Sequence, residues 1–199
     1  MTSDVTPHAR ALTTLHGWTP PSSALGVLRD RFVDHLVAHP DGLERACSPG
    51  HLTAGALVLS ADLDAVLLNL HRKARRWLHF GGHWEPGDAS LWATAAREAS
   101  EESGVPGLVV HPEPVHLDVH EVEFCRGHSR TDHLDVRYAA LAPAGARARV
   151  SDESLDVRWW PVDDLPGLGS EMHELILHAR DFLAQSAEAS VPSSRAPAE

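Results

Sequence analysis

Gly81-Gly82-His83-Trp84-Glu85-Pro86-Gly87-Asp88, followed after eight residues by Arg97-Glu98-Ala99-Ser100-Glu101-Glu102-Ser103-Gly104-Val105, is the stretch that decides how this chain folds. Its second half sets Glu98, Glu101 and Glu102 at i, i+3 and i+4. On a helix these carboxylates converge on one face and repel, at about 0.2–0.5 kcal/mol per like-charged pair when exposed. A bound divalent cation reverses the sign of that interaction. The bland alternative is a solvated acidic helix face. Three features favour a metal site instead: Arg97 in front of the glutamates, Gly104 placed to close the helix as a C′ residue, and the glycine-rich stretch upstream.

Around this centre, the elements can be read from periodicity. Leu25, Leu28, Phe32, Val33, Leu36 and Val37 repeat with a helical period between Ser22 and His39, and Pro40 ends the run. This predicts an N-terminal helix packed on the domain. Leu52–Leu59 and Ala65–Leu70 are short apolar runs joined by a turn that begins Ser60-Ala61-Asp62, as in a hairpin. Arg72-Lys73-Ala74-Arg75-Arg76 forms a basic loop, and residues 77–80 a brief strand that delivers the chain to Gly81. The acidic helix is expected from about Ser90, a good N-cap, to Ser103, with Leu91, Ala95 and Ala99 inward and the acidic face outward.

Further strands are expected over 108–110, 115–124, 133–141 and 157–160, the last ended by Pro161. In 115–124 the apolar parity switches from Val115, Leu117 and Val119 to Val122 and Phe124, which predicts a bulge or break near His120-Glu121. Arg126–Thr131 reads as a polar loop. A C-terminal helix over about 170–185 carries Met172, Leu175, Ile176, Ala179 and Phe182 on one stripe. Short mixed strands with one central helix and helices at either end give an α+β sandwich, helices on both faces of a mixed sheet.

Composition narrows the function classes. A net charge of −11 leaves no extended basic patch for a nucleic-acid polymer, while a small anionic substrate stays open if metal ions supply positive charge. No apolar run is long enough to span a bilayer and the first 21 residues lack a signal-peptide profile, so a cytoplasmic protein without membrane partners is expected. Cys47 and Cys125 have no motif spacing and read as reduced thiols. Fifteen histidines raise the question of zinc, but their spacings support it poorly: His35 and His39 sit at i, i+4 on the expected helix, without a cysteine pair or glutamate motif beside them. Most of the histidines are expected on the surface or in loops.

The quoted stretch resembles the Nudix box: a glycine, five residues, an acidic residue, seven residues, then Arg-Glu-apolar-x-Glu-Glu-x-Gly-apolar. Arg97 to Val105 matches throughout, with Ala99 a small choice for the apolar slot. The first half departs twice, since Asp88 stands where glutamate is usual and the spacer to Arg97 is one residue longer. The extra residue is expected to lengthen the loop before the helix, and no role is assigned to Asp88.

The resemblance implies a Nudix-type α/β/α sandwich with an added N-terminal helix. It divides the chain into an N-terminal helical extension (1–50), a hydrolase domain (51–186) and a disordered tail (187–199). It also implies divalent-metal-dependent hydrolysis of a phosphoanhydride in a nucleoside diphosphate linked to another moiety. By resemblance, Glu98, Glu101 and Glu102 hold Mg2+ or Mn2+, the Gly81 carbonyl adds an oxygen, and Arg97 holds a glutamate in place. Glu153, in Ser151-Asp152-Glu153-Ser154, is the candidate extra carboxylate, as ligand or general base. Asp152 and Asp156 compete with it, as does a plain solvated loop.

For the substrate, Arg72, Lys73, Arg75 and Arg76 could reach phosphates. Trp84, Tyr138, Trp159 and Trp160 could stack on a base, and His83, His120, His128, His133 and Asp135 could line the pocket. Each of these also has a structural explanation. The expected partner is a small diphosphate, and dimers are common in the family. The competing function is a non-catalytic module that binds a nucleotide ligand. An isopentenyl diphosphate isomerase is disfavoured by the intact glutamates and the lack of a suggestive cysteine. A sensor joined to a DNA-binding segment is disfavoured by the lack of room after Gln185.

Overall fold

The computed structural model describes residues 5–123, 125 and 130–189. Phe124, His128 and most of the expected 126–131 loop lie outside the described residues, as does the expected tail from 190 onward. Residues 187–189, assigned from sequence to that tail, instead continue the last helix.

Two helices precede the sheet where one was expected. α1 (Pro7–Gly17) starts at a Thr6 cap whose hydroxyl accepts from the Ala9 N–H at 3.2 Å, with Pro7 in the first turn. That Thr-Pro pair is a start signal, but the helix behind it has a sparse apolar face. α2 (Ser23–Ala38) begins at Ser22, whose hydroxyl accepts from Leu25 N–H, and stops at His39 before Pro40 as its sequence dictates.

β1 (Gly50–Leu59) is buried along its whole length, because it pairs with three strands and is covered on both faces. Its neighbours are β2 (Ala65–His71), β4 (Phe80–His83) and β6 (Thr131–Leu141). The path through the sheet runs β3-β2-β1-β6-β5, with β3 (Trp77–Leu78) and β5 (Val109–Val122) as its ends, β4 also on β1, and β7 (Ser154–Pro161) on β2. Every pair is antiparallel except β1–β6, so the sheet is mixed as expected.

Alternate residues of β1 feed two cores. Leu52, Ala54, Ala56 and Val58 meet α1, α2 and α3 (Leu91–Ser103) through Leu15, Phe32, Leu36, Leu91, Ala95 and Ala99. Leu57 and Leu59 meet α4 (Ser170–Ala189) through Met172, Leu175, Ile176 and Ala179. Helices therefore cover both faces of the sheet. Among the described residues, no helix is long and apolar enough to cross a membrane.

Two strand expectations change. The segments 108–110 and 115–124 belong to one strand, β5, whose register shifts lie between Val110 and His116 rather than at His120-Glu121. Pro112 and Pro114 explain the displacement, because proline cannot donate to the ladder. The parity change at Val122 marks a strand end leaving the core. The glycine pair Gly81-Gly82, beyond the strand expected over 77–80, lies in β4, where it pairs with Gly55 and Ala54.

Candidate active site

α3 and β4 build the site between them. Ser90 caps α3 by accepting from Ala93 N–H at 3.2 Å, and Gly104 closes it in the left-handed conformation (φ 61°). The helix lies on β1 and β4 with Leu91, Ala95 and Ala99 inward, as its period requires, but its acidic face is not all outward. Glu102 is 5% exposed and its carboxylate accepts the Gly81 N–H at 3.2 Å. Glu98 packs so closely on β4 that a Cβ on Gly82 would overlap its carboxylate. A side chain at Gly82 would therefore displace the Glu98 carboxylate, and a Cβ at Gly81 would meet the Gly55 backbone at 2.7 Å. Glu101 alone points to solvent, its side chain 62% exposed.

Burial pushes the Glu102 carboxyl up to about 8; the Gly81 N–H opposes this, while Glu98, Glu153 and Glu101 reinforce it. Burial raises Glu98 too, against the pull of Arg97, and Glu101 and Glu153 add to the rise. Glu153, one residue before β7, thus acts electrostatically on the same two carboxylates. One buried and one part-buried carboxylate sharing a site with two further acids form a set of hard oxygen donors short of positive charge. The donor set fits Mg2+ or Mn2+.

Among the described residues, Arg97 is the cation within this set, and Asp88 is what holds it. Its Nε donates to Asp88 Oδ1 at 3.1 Å and its Nη2 to Oδ2 at 2.9 Å, a two-point pair. Nη2 also reaches the His83 carbonyl at 3.0 Å, while Nη1 donates to Glu98 Oε1 at 3.0 Å and approaches Glu101 at 3.4 Å. Asp88 is buried, which works against its charge. Arg97, the Glu85 N–H and the Thr94 hydroxyl nevertheless hold its carboxyl below the usual range. The longer spacer therefore does not displace Asp88 from the site. The missed signal was chemical: an aspartate just ahead of an arginine-led acidic helix is the natural partner for that arginine.

The expected substrate residues scatter. Arg72 is turned back on the fold, its guanidinium donating to the carbonyls of Asp152 and Ser154 and so fixing the segment that carries Glu153. Lys73 is exposed, and Arg76 pairs with Glu171 on α4 at 3.2 Å. Trp84 is half-buried, with its indole N–H on the Asp88 carbonyl at 2.9 Å. Tyr138 is 1% exposed inside the core shared with β1, so the expectation that it stacks on a base is corrected. Trp160 meets Trp77 edge-on at 5.3 Å with Arg158 over both rings.

The other half of the β1 face that carries Leu57 and Leu59 is polar and buried. Asp135 accepts from Thr53 at 3.0 Å and from Arg137 Nε at 2.8 Å, and it lies 3.2 Å from His79 Nε2. Burial and Arg137 lower His79, so this contact is the N–H of a neutral imidazole. Burial opposes the charge on Asp135, yet Arg137 and His79 hold its carboxyl well below the usual range. Arg137 continues to Asp118, which meets His120 at 3.0 Å. Asp135 thus holds the sheet together. Not every histidine is a surface or loop residue, since His51 and His116 are buried in strands and His79 is nearly so.

The NUDIX domain family model matches residues 49–184, most of the chain. No curated protein matches it in sequence. Among solved structures, a Nudix-family hydrolase from Clostridium perfringens aligns with a TM-score of 0.51 at 23% identity, covering 68% of this chain and 97% of that one. A C. elegans Ap4A hydrolase in a binary complex gives 0.54 at 21% identity, covering 67% and 98%. The NUDIX domain of Shewanella oneidensis NrtR, complexed with ADP ribose, gives 0.52 at 24% identity, covering 70% and 92%. At these identities the likenesses speak for the fold, and the α/β/α sandwich is theirs. With the domain model spanning more than half of its length and the box folded as described, the chain belongs to the Nudix family of hydrolases.

Proposed function

We propose that this chain is a divalent-metal-dependent pyrophosphohydrolase that cleaves the phosphoanhydride of a nucleoside diphosphate linked to another moiety. The observation that carries this is the part-buried Glu98 beside the buried Glu102, both raised by burial and by Glu153, with Glu98 raising Glu102 further. Glu98, Glu101 and Glu102 would hold Mg2+ or Mn2+, with the Gly81 carbonyl as a further oxygen. Such an ion, when bound, neutralises phosphoryl oxygens and acidifies water. Arg97, gripped by Asp88, orients Glu98. Arg72 positions the Glu153 segment, so that Glu153 can accept a proton from water. Lys73 and Trp84 remain the substrate-facing candidates. The Ap4A and ADP-ribose bound or cut by the relatives above support a nucleoside linked through diphosphate.

The test is product release from nucleoside triphosphates, ADP-ribose, sugar nucleotides and dinucleoside polyphosphates, each with magnesium, manganese or chelator. Metal-dependent cleavage confined to one class is expected. Tight magnesium binding with no turnover of any class would overturn the hydrolase and favour a ligand-binding module. A smaller effect follows from Asp88: Asp88→Asn loosens Arg97 without removing a glutamate. Turnover should fall about tenfold, as when a group supporting a metal ligand is lost. Unchanged kinetics would show that Arg97 needs no such anchor.

A further inference from the structure

Four side chains with no part in the reaction above converge at one end of the sheet. His51 lies near the start of β1, His83 ends β4 and His133 lies near the start of β6, while Cys125 comes from the segment between β5 and β6. His51 and His133 are direct partners in the parallel pairing, and His83 sits opposite Thr53, two residues on, so all three imidazoles leave one face. The ring centroids lie 4.9–5.0 Å apart. All three Nε2 atoms surround one sulfur: Cys125 Sγ is 3.3 Å from His83, 3.3 Å from His133 and 3.7 Å from His51. The four donor atoms lie within 4.8 Å of one another.

We propose that His51, His83, His133 and Cys125 form a closed tetrahedral zinc site, distinct from the magnesium-type glutamate site. Zn–S and Zn–N bonds of about 2.3 and 2.0–2.1 Å at tetrahedral angles put sulfur and nitrogen about 3.5 Å apart, the middle of the observed range. Hydrogen bonding accounts for the cluster poorly. A thiol has one proton to give, so at most one contact is an S–H···N bond, and the others would be N–H donated to a weak acceptor. The donor chemistry is also selective, since three imidazoles and a thiolate suit zinc, whereas the carboxylates of the neighbouring site suit magnesium.

Four protein donors leave no open position for water or substrate, so the ion is structural. It ties the ends of three strands to the segment before β6. Through His83, whose carbonyl accepts from Arg97, it also fixes the end of the strand on which the acidic helix rests. Sequence spacing hid the set, because its members come from four separate segments and no two share a short motif.

Elemental analysis of the purified full chain after gel filtration should find about one zinc per chain. The content should be unchanged in Glu102→Gln and reduced at least about tenfold in Cys125→Ser and His133→Ala. Cobalt(II) added to the metal-stripped wild type should give intense tetrahedral d–d bands and a thiolate-to-cobalt charge-transfer band. Cys125→Ser, with wild-type circular dichroism, should lose the charge-transfer band. The cobalt spectrum of wild-type protein decides the matter even if a variant misfolds. A weak octahedral spectrum without charge transfer, no retained zinc after reconstitution, or zinc retained equally in Cys125→Ser would each overturn the site.

Discussion

Glu102→Gln should lower metal-dependent turnover by about 100-fold or more while the protein stays folded. The loss follows from removing a charged oxygen donor where phosphoryl charge must be neutralised, a place where single groups are worth about 2.7–4 kcal/mol. Folding is spared because the carboxylate is a burden to the metal-free chain. It is buried and raised to about 8, by burial first and then by Glu98 and Glu153. Glutamine keeps the shape and can still accept the Gly81 N–H through its carbonyl oxygen. Stability of the metal-free variant should therefore equal or exceed that of wild type, measured by thermal unfolding in chelator. Reduced activity together with a lower midpoint would mean that Glu102 is a structural residue, and wild-type activity would remove it from the site.

Asp135→Asn should have the opposite profile and cost about 3–5 kcal/mol of stability, the usual consequence of removing one partner from a buried ion pair. Asp135 takes hydrogen bonds from Thr53, Arg137 and His79. An asparagine has one acceptor oxygen and turns its NH2 toward donors. Arg137, itself buried, would lose its closest counter-ion, and its Nη1 already has no hydrogen-bond partner among the described residues. Urea unfolding should show a lower midpoint at unchanged slope.

The pH dependence follows from the sign of the shift. Asp135 is held well below its unfolded value, so its contribution is complete above the ordinary carboxylate range and is lost as pH falls through the folded value. The gap between wild type and variant should be widest near neutrality and close only in strong acid. A gap under about 1 kcal/mol at neutral pH, the value of an exposed pair, would show that the network is not what holds this face.

These two residues also mark what the sequence disclosed. Glu98, Glu101, Glu102, Arg97 and Gly104 are legible because a helix turns linear spacing into geometry, and Ser90 and Gly104 announce its ends. The apolar runs of β1 and β2 and the stripe of α4 are legible for the same reason. Asp135, Arg137 and Asp118 were not, because their partnership is made across strands, and cross-strand register is unknown until the sheet is assembled. Asp135 in the sequence looks like any polar residue in a strand of alternating parity. The histidines suffered most, since their meaning depends on which ends of β1, β4 and β6 lie side by side. Asp88 shows a different gap: a one-residue insertion alters a motif on paper, yet the loop absorbs it and the arginine still finds its partner.

The parallel seam between β1 and β6 has a consequence for how the molecule is made. Gly50 pairs with Asp132 and Leu59 with Leu141, so the central strand waits for a partner that lies across β2, β3, β4, α3 and β5 in the chain. Closing so long a loop costs entropy before any contact rewards it, and topologies dominated by such pairings fold slowly. During synthesis, the β2 hairpin can cover only one side of β1. Its other edge, a strand of buried and mostly apolar residues, stays open until β6 has left the ribosome, which is the interval in which this chain is most exposed to aggregation and to chaperone capture.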